Sequence, residues 1–262
     1  MKTFLRLIML ALLVSLFSCR SSKELIYLND SANGEKIAGL PVQVTEHILK
    51  PGDILYVSIK SMNPEVNTLF NPETNMEVNS GQGYQRFTTP SGAYLYGFEI
   101  APDGNINLPM LGKILVNELP LSQVESVVQK RADEFLRDAL VKVKLLNFKV
   151  TVLGEVKAPG EYYNYNNSLT VLQAIAMANG NTDYASIKRV MVVRSTTDGN
   201  KSFMLDLSSK GIFQSEAFYL HPNDYVIVQP DKYKNFQLNS QAYSLFFSSL
   251  SVLLAVLGFV LK

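Results

Sequence analysis

Few side chains in this sequence are grouped in a way that could do chemistry. There are two histidines, His47 and His221, each beside a proline-containing turn. A zinc site draws three or four ligands from His, Cys and carboxylates. Neither histidine has a third ligand near it in sequence, so no metal and no cofactor is expected. Asp53, Asp103 and Asp224 could serve as general acids or bases. All three, however, lie in turn sequences, Pro51-Gly52-Asp53, Pro102-Asp103-Gly104 and Pro222-Asn223-Asp224, where an Asp side chain bonds the local backbone. Gly81, Gly83 and Gly92 do not open a helix and so make no phosphate loop. Tyr94, Tyr96, Tyr162, Tyr163 and Tyr165 could stack on sugar rings, although tyrosine is also a favoured strand residue and sheet packing is the first expectation. The chain reads as a non-enzyme. A glycan-processing enzyme is the rival that mutation of the carboxylates would dispose of.

One reactive side chain is left. Cys19 is the only cysteine, so it has no internal disulfide partner. It follows Lys2, Arg6 and an apolar run, Leu7 to Phe17, of about 11 residues, too short to span a bilayer. Leu16-Phe17-Ser18-Cys19 resembles a lipobox, with Phe17 bulkier than is usual there. This implies a signal peptide at 1–18, cleavage before Cys19, acylation of Cys19, and a tether over 19–48. Arg20 and Ser21 give no signal for retention at the inner membrane.

The far end is also apolar. Ala242 to Leu261 runs for about 20 residues without an ionisable side chain, enough at 1.5 Å per residue for a ~30 Å hydrocarbon core. A transmembrane helix is expected over 242–261, after a linker at 231–241. Lys232, Tyr233, Lys234, Phe236 and Tyr243 would anchor one end and Lys262 the other. Gln237, Gln241, Ser244, Ser248, Ser251, Ala255 and Gly258 recur at alternating steps of four and three, placing small or polar residues along one helical face. Small residues at that period let helices approach closely. The stripe is read as lining a pore or a helix–helix interface, which needs several copies. A tail anchor whose serines have no role is the plainer alternative.

Between these ends the elements alternate. The Pro51-Gly52-Asp53 turn feeds a strand at Ile54–Ile59, and residues 60–92 are a long Asn-, Pro- and Gly-rich loop of unassigned role. Tyr94 to Ile100 and Ile106 to Leu108 read as a hairpin about Pro102-Asp103-Gly104, with another strand at Leu111 to Val116. Ser122 and Glu125 have capping-box spacing at the head of an amphipathic helix that runs to about Arg137 and includes Phe135 on its apolar face. Strand alternation through Val141, Val143 and Leu145 slips at Leu146-Asn147, which places a domain boundary there. Beyond it come a strand at Val152 to Val156, a turn at Ala158-Pro159-Gly160-Glu161, a buried helix capped by Ser168 and stopped by Asn179-Gly180, and three more strands. Leu220 to Val226 echoes Leu49 to Leu55, with Asn223 standing where Gly52 stands. The fold class expected is α+β: two small mixed domains, 49–146 and 147–230, then the single C-terminal helix. With 24 Lys+Arg against 23 Asp+Glu, nothing pulls the chain toward nucleic acid.

Lys50-Pro51-Gly52-Asp53, Pro102-Asp103-Gly104 with Leu108-Pro109 and Leu111-Gly112, Gly154-Glu155-Val156 with Pro159-Gly160, and Ala174 to Asn179 before Gly180 together resemble the outer-membrane polysaccharide export lipoprotein family. Asn179 replaces the glycine more usual there. The resemblance implies an export domain followed by a β-grasp-like SLBB domain. It further implies a homo-oligomeric ring, commonly an octamer, with C-terminal helices forming an outer-membrane pore. The ring would pass capsular polysaccharide or exopolysaccharide from the periplasm to the cell surface, working with an inner-membrane polysaccharide co-polymerase. A monomeric envelope lipoprotein that binds glycan or peptidoglycan is the alternative.

Overall fold

Inward Leu55, Val57 and Ile59 alternate with outward residues along β1 (Ile54–Lys60), so one face of this strand must be covered. The computed structural model describes residues 26–31, 33–34, 46–63, 67, 69–71, 94–196, 198–234 and 240–260. In it β1 lies between β2 (Phe98–Glu99) and β5 (Leu140–Leu145), antiparallel to both. A second pair, β3 (Asn105–Leu108) with β4 (Gly112–Leu115), and helix α1 (Leu121–Asp133) close the first core over Leu55, Ile106, Val124, Val128 and Val143. The outer edge of β5 is met by α1 side chains. Gln129 Oε1 accepts the Val141 N–H at 3.0 Å, and Glu125 Oε2 accepts the Val143 N–H at 3.4 Å. Polar groups that would otherwise template another strand are thereby satisfied.

Three local expectations change here. The hairpin forms one strand later, between β3 and β4, because β2 is only two residues long and pairs with β1. Positive φ at Met110 and Gly112 makes the tight return that β3 needs. The capping box at Ser122 and Glu125 does not form. α1 starts two residues earlier, with Pro120 rather than Ser122 at the cap position, so both side chains are turned to other uses. Phe135 falls beyond the end of α1 and is half-exposed, its ring under the Arg131 guanidinium at 5.2 Å.

The second core is built on a five-stranded sheet in the order β7 (Gly160–Tyr163), β6 (Lys149–Gly154), β10 (Tyr225–Pro230), β8 (Ala185–Thr196), β9 (Gly199–Leu205). β6 and β10 are parallel; the other pairs are antiparallel. Val150, Val152, Val190, Val192, Val226 and Val228 point to one side, where α2 (Val171–Met177) buries Val171, Ala174 and Ile175 against them. α2 is capped by Thr170 rather than Ser168, in a capping box with Gln173. Asn179 and Gly180, both left-handed, end it as expected from sequence. The expected turn at 158–161 resolves into a start for β7, with Gly160 opposite Val152. Before the first core begins, the chain touches the second one: Leu28 N–H donates to Leu207 O at 3.1 Å, and Asp30 accepts from Ser209 and from the Lys210 N–H.

The expectation of a C-terminal transmembrane helix is corrected. Helix α3 (Ser240–Val260) is present, yet among the described residues no helix is long and apolar enough to cross a membrane. Polar positions recur as far as Ser251, leaving Val252 to Val260 as the uninterrupted non-polar stretch. At 1.5 Å per residue that stretch is roughly 14 Å, about half of a hydrocarbon core. All α3 side chains described are exposed.

Candidate functional site

The turn sequences that echo one another in the chain have the same construction. Gly52 (φ 88°) and Asn223 (φ 67°) take the left-handed conformation, and the next residue, Asp53 or Asp224, is buried. Asp53 Oδ2 accepts the Lys50 N–H at 3.1 Å, while Asp224 Oδ2 accepts the His221 N–H at 2.8 Å. In return, Asp53 N–H and Asp224 N–H donate to the carbonyls of Lys50 and His221. Each carboxylate then takes a cationic or polar partner: His47 Nε2 lies 2.7 Å from Asp53, and Arg194 grips Asp224 with Nε and Nη2 at 2.8–3.2 Å. Both carboxylates thus hold the backbone of their own turn. The partners His47 and Arg194 carry no signal in sequence, being 6 and 30 residues away from their carboxylates.

Burial pushes the His221 imidazole below its usual value, and Arg194, His47 and Lys50 add to the push while Asp224 opposes it. Asn147, at the slip between β5 and β6, ties the first turn down: its Oδ1 accepts the Ile54 N–H at 3.0 Å and its Nδ2 donates to Gly52 O at 3.1 Å. The residue that breaks the alternation thus fastens the two cores.

A cleft of about 250 Å³ opens beside this fastening. Leu49, Val143 and Phe148 give it an apolar floor. Ser122 Oγ donates to Glu46 Oε2 at 2.7 Å on one side, next to Glu125. On the other, Lys144 Nζ donates to Asn167 Oδ1 at 2.8 Å beside Tyr165. The loop bearing Tyr165, Asn166 and Asn167 is braced by buried Asn164, whose amide bonds the Asn166 N–H and the Asn166 and Ser168 carbonyls. Ser122 and Glu125, read as a capping pair, are here cleft residues. Of the tyrosines, Tyr165 reaches the cleft. Tyr162 turns inward, bonding Ala158 O, and Tyr94 stands exposed on the first domain.

The other singled-out residues lie apart. Asp103 is exposed and accepts the Asn105 N–H, which with Lys113 holds its carboxyl below the usual range. Gly104 is buried, and a Cβ there would lie 2.7 Å from that of Asn117. Pro51 and Pro159 are exposed. Gln241, Ser244, Ser248, Ser251, Ala255 and Gly258 lie on α3, where Ser248 and Ser251 hydroxyls donate back to the carbonyls of Ser244 and Ser248. Cys19, the signal segment, most of the tether and Gln237 lie outside the described residues, as do 72–93 of the long loop. An unforeseen pair is Glu155, whose carboxylate is held by Lys234 and by Thr182 Oγ1 at 2.6 Å and is thereby kept below its usual range. Among the described residues no group of three or more potential metal ligands comes together.

Comparison with known proteins gives two matches in series. The family described as polysaccharide biosynthesis/export protein matches residues 41–146, and the SLBB domain matches residues 148–228. The EPS I polysaccharide export outer membrane protein EpsA of Ralstonia solanacearum is 26% identical over 199 residues, covering 73% of this chain and 50% of that protein. The chain therefore spans about half the length of this curated relative.

Proposed function

Because the chain belongs to the polysaccharide biosynthesis/export protein family, we propose that it is an outer-membrane export protein whose copies form a ring-shaped conduit for capsular polysaccharide or exopolysaccharide. One observation carries this reading: the two family matches follow each other along the chain and fall on two separately closed cores, joined at Asn147.

In this reading the export domain at 49–146 and the SLBB domain at 147–230 stand in the periplasm, and an acyl group on Cys19 holds them to the outer membrane. Assembly is supported by α3. Leu245, Phe246, Phe247, Val252, Leu253 and Phe259 are each more than half exposed, a non-polar surface that a soluble chain does not leave uncovered. Copies of α3 meeting along Gln241, Ser244, Ser248, Ser251, Ala255 and Gly258 would pack closely, since small residues permit close approach. Among the described residues the buried carboxylates are engaged, Asp53 and Asp224 in holding turns and Glu155 by Lys234 and Thr182. Transfer is then passive, with polar, weakly binding walls that leave no deep well for a sliding hydrated chain. The driving force comes from polymer synthesis and an inner-membrane co-polymerase.

Deleting the gene in its host should remove the polymer from the cell surface, and a wild-type copy should restore it. Surface polymer at the parental level in the deletion strain would overturn the export reading.

A further inference from the structure

Resting on the export reading, we propose that the cleft between the two cores holds one neutral pyranose ring of the exported polymer. Its volume, about 250 Å³, falls just under the ~300–1,000 Å³ usual for pockets that take drug-sized ligands, which suits a single ring. Its chemistry is divided as a sugar's is. Leu49, Val143 and Phe148 offer a non-polar floor to the C–H face of a ring. Hydroxyls at the ring's edge meet Glu46 and Glu125 on one rim and Lys144, Asn166 and Asn167 on the other. Tyr165 lines the cleft with its ring and is 45% exposed, so it can lie against a bound ring.

Two observations separate this cleft from an incidental hollow. Asn164 is buried to 3% and spends its amide on the loop that carries Tyr165 to Asn167, so that rim is fixed in advance. The opposite rim is fixed by the Glu46–Ser122 bond, which joins residues 76 apart. The charge of the rims sets the class of sugar. Two carboxylates, Glu46 and Glu125, stand against the single ammonium of Lys144, and His47, which also lines the cleft, is already engaged by Asp53 at 2.7 Å, so an acidic sugar would meet net repulsion while a neutral one would not. Grip on one ring is weak by construction. With about 12 non-hydrogen atoms, a hexose at drug-like ligand efficiency binds in roughly the millimolar range. A moving polymer could be guided by such a site without being trapped.

Saturation-transfer NMR on the full chain, with glucose, galactose, N-acetylglucosamine and glucuronate as probes, tests this. Wild type should saturate one or more of the neutral sugars, and Tyr165→Ala should weaken that by about tenfold, the scale of a lost aromatic contact. Tyr94→Ala, which alters an exposed tyrosine away from the cleft, should bind as wild type. Equal binding by the two variants, no binding of any neutral sugar to wild type, or glucuronate binding as well as glucose would each overturn the proposal. Matching thermal midpoints for the variants show that folding is not the cause. Surface polymer in the deletion strain is a separate readout, so the site and the export reading fail independently.

Discussion

Asp224→Ala should lower the stability of the second core by about 3–5 kcal/mol, the range found when one partner of a buried ion pair is removed. Asp224 is 1% exposed, and its partner Arg194 has a side chain only 11% exposed. The guanidinium cannot shed its proton in compensation. Its remaining partners are the carbonyls of Tyr219 at 2.9 Å and Glu216 at 3.5 Å and the ring of Phe203 at 5.6 Å, and the one carboxylate left near it, Glu216, is exposed and already paired with Lys201. The turn is hit as well, because the His221 N–H loses its acceptor. Asp53→Ala is the matched control in the first core. Its partner is a histidine, which can become neutral, so a smaller loss is expected there. Denaturant unfolding of the three proteins checks this, and Asp224→Ala within about 1 kcal/mol of wild type would contradict it.

Gly154→Ala is the second severe change, expected to cost on the order of 4 kcal/mol through strain and a broken ladder. Gly154 has φ 87°, and a Cβ there would lie 2.1 Å from Val228 O. That carbonyl accepts the Glu155 N–H at 2.9 Å at the end of the β6–β10 parallel ladder, so the strands must part for the methyl group to fit. Gly52→Ala isolates the two causes. Its φ is 88°, yet nothing lies within 4 Å of its would-be Cβ, so only the backbone strain of roughly 1–2 kcal/mol applies. Equal losses for the two variants, read from urea midpoints, would show that the close approach to Val228 does not matter.

These residues also show what could be read from the chain alone. The echo of Leu49–Leu55 in Leu220–Val226 pointed to two turns of like build, because turn chemistry is local and Asn can replace Gly at positive φ; that both aspartates are buried was not legible there. Much of the strand content was visible in its alternation, since Leu55, Val57 and Ile59 or Val150 and Val152 turn to one side at every second residue. Pairings across distance were not visible. Arg194 reaching Asp224, Lys234 reaching Glu155 and the return of Leu28 to Leu207 join residues far apart, and no local pattern encodes them. Ser122 and Glu125 misled for the opposite reason: a correct local motif was outcompeted by a helix start two residues sooner, at Pro120, and by partners on Glu46 and β5. At α3, length and mean apolarity suggested a membrane span, while the serines through Ser251 interrupt it. The cleft itself had no signature beyond Tyr165, since its walls come from four separate stretches of chain.

The claim on which the rest depends is that this chain works as several copies closed into a ring. Native mass spectrometry of the full-length protein purified in detergent measures that directly. A single dominant species at a whole-number multiple of the protomer mass, with ring-shaped particles in electron micrographs of the same sample, is the expected result. A species at the mass of one chain, unchanged over a wide range of protein concentration, would contradict it.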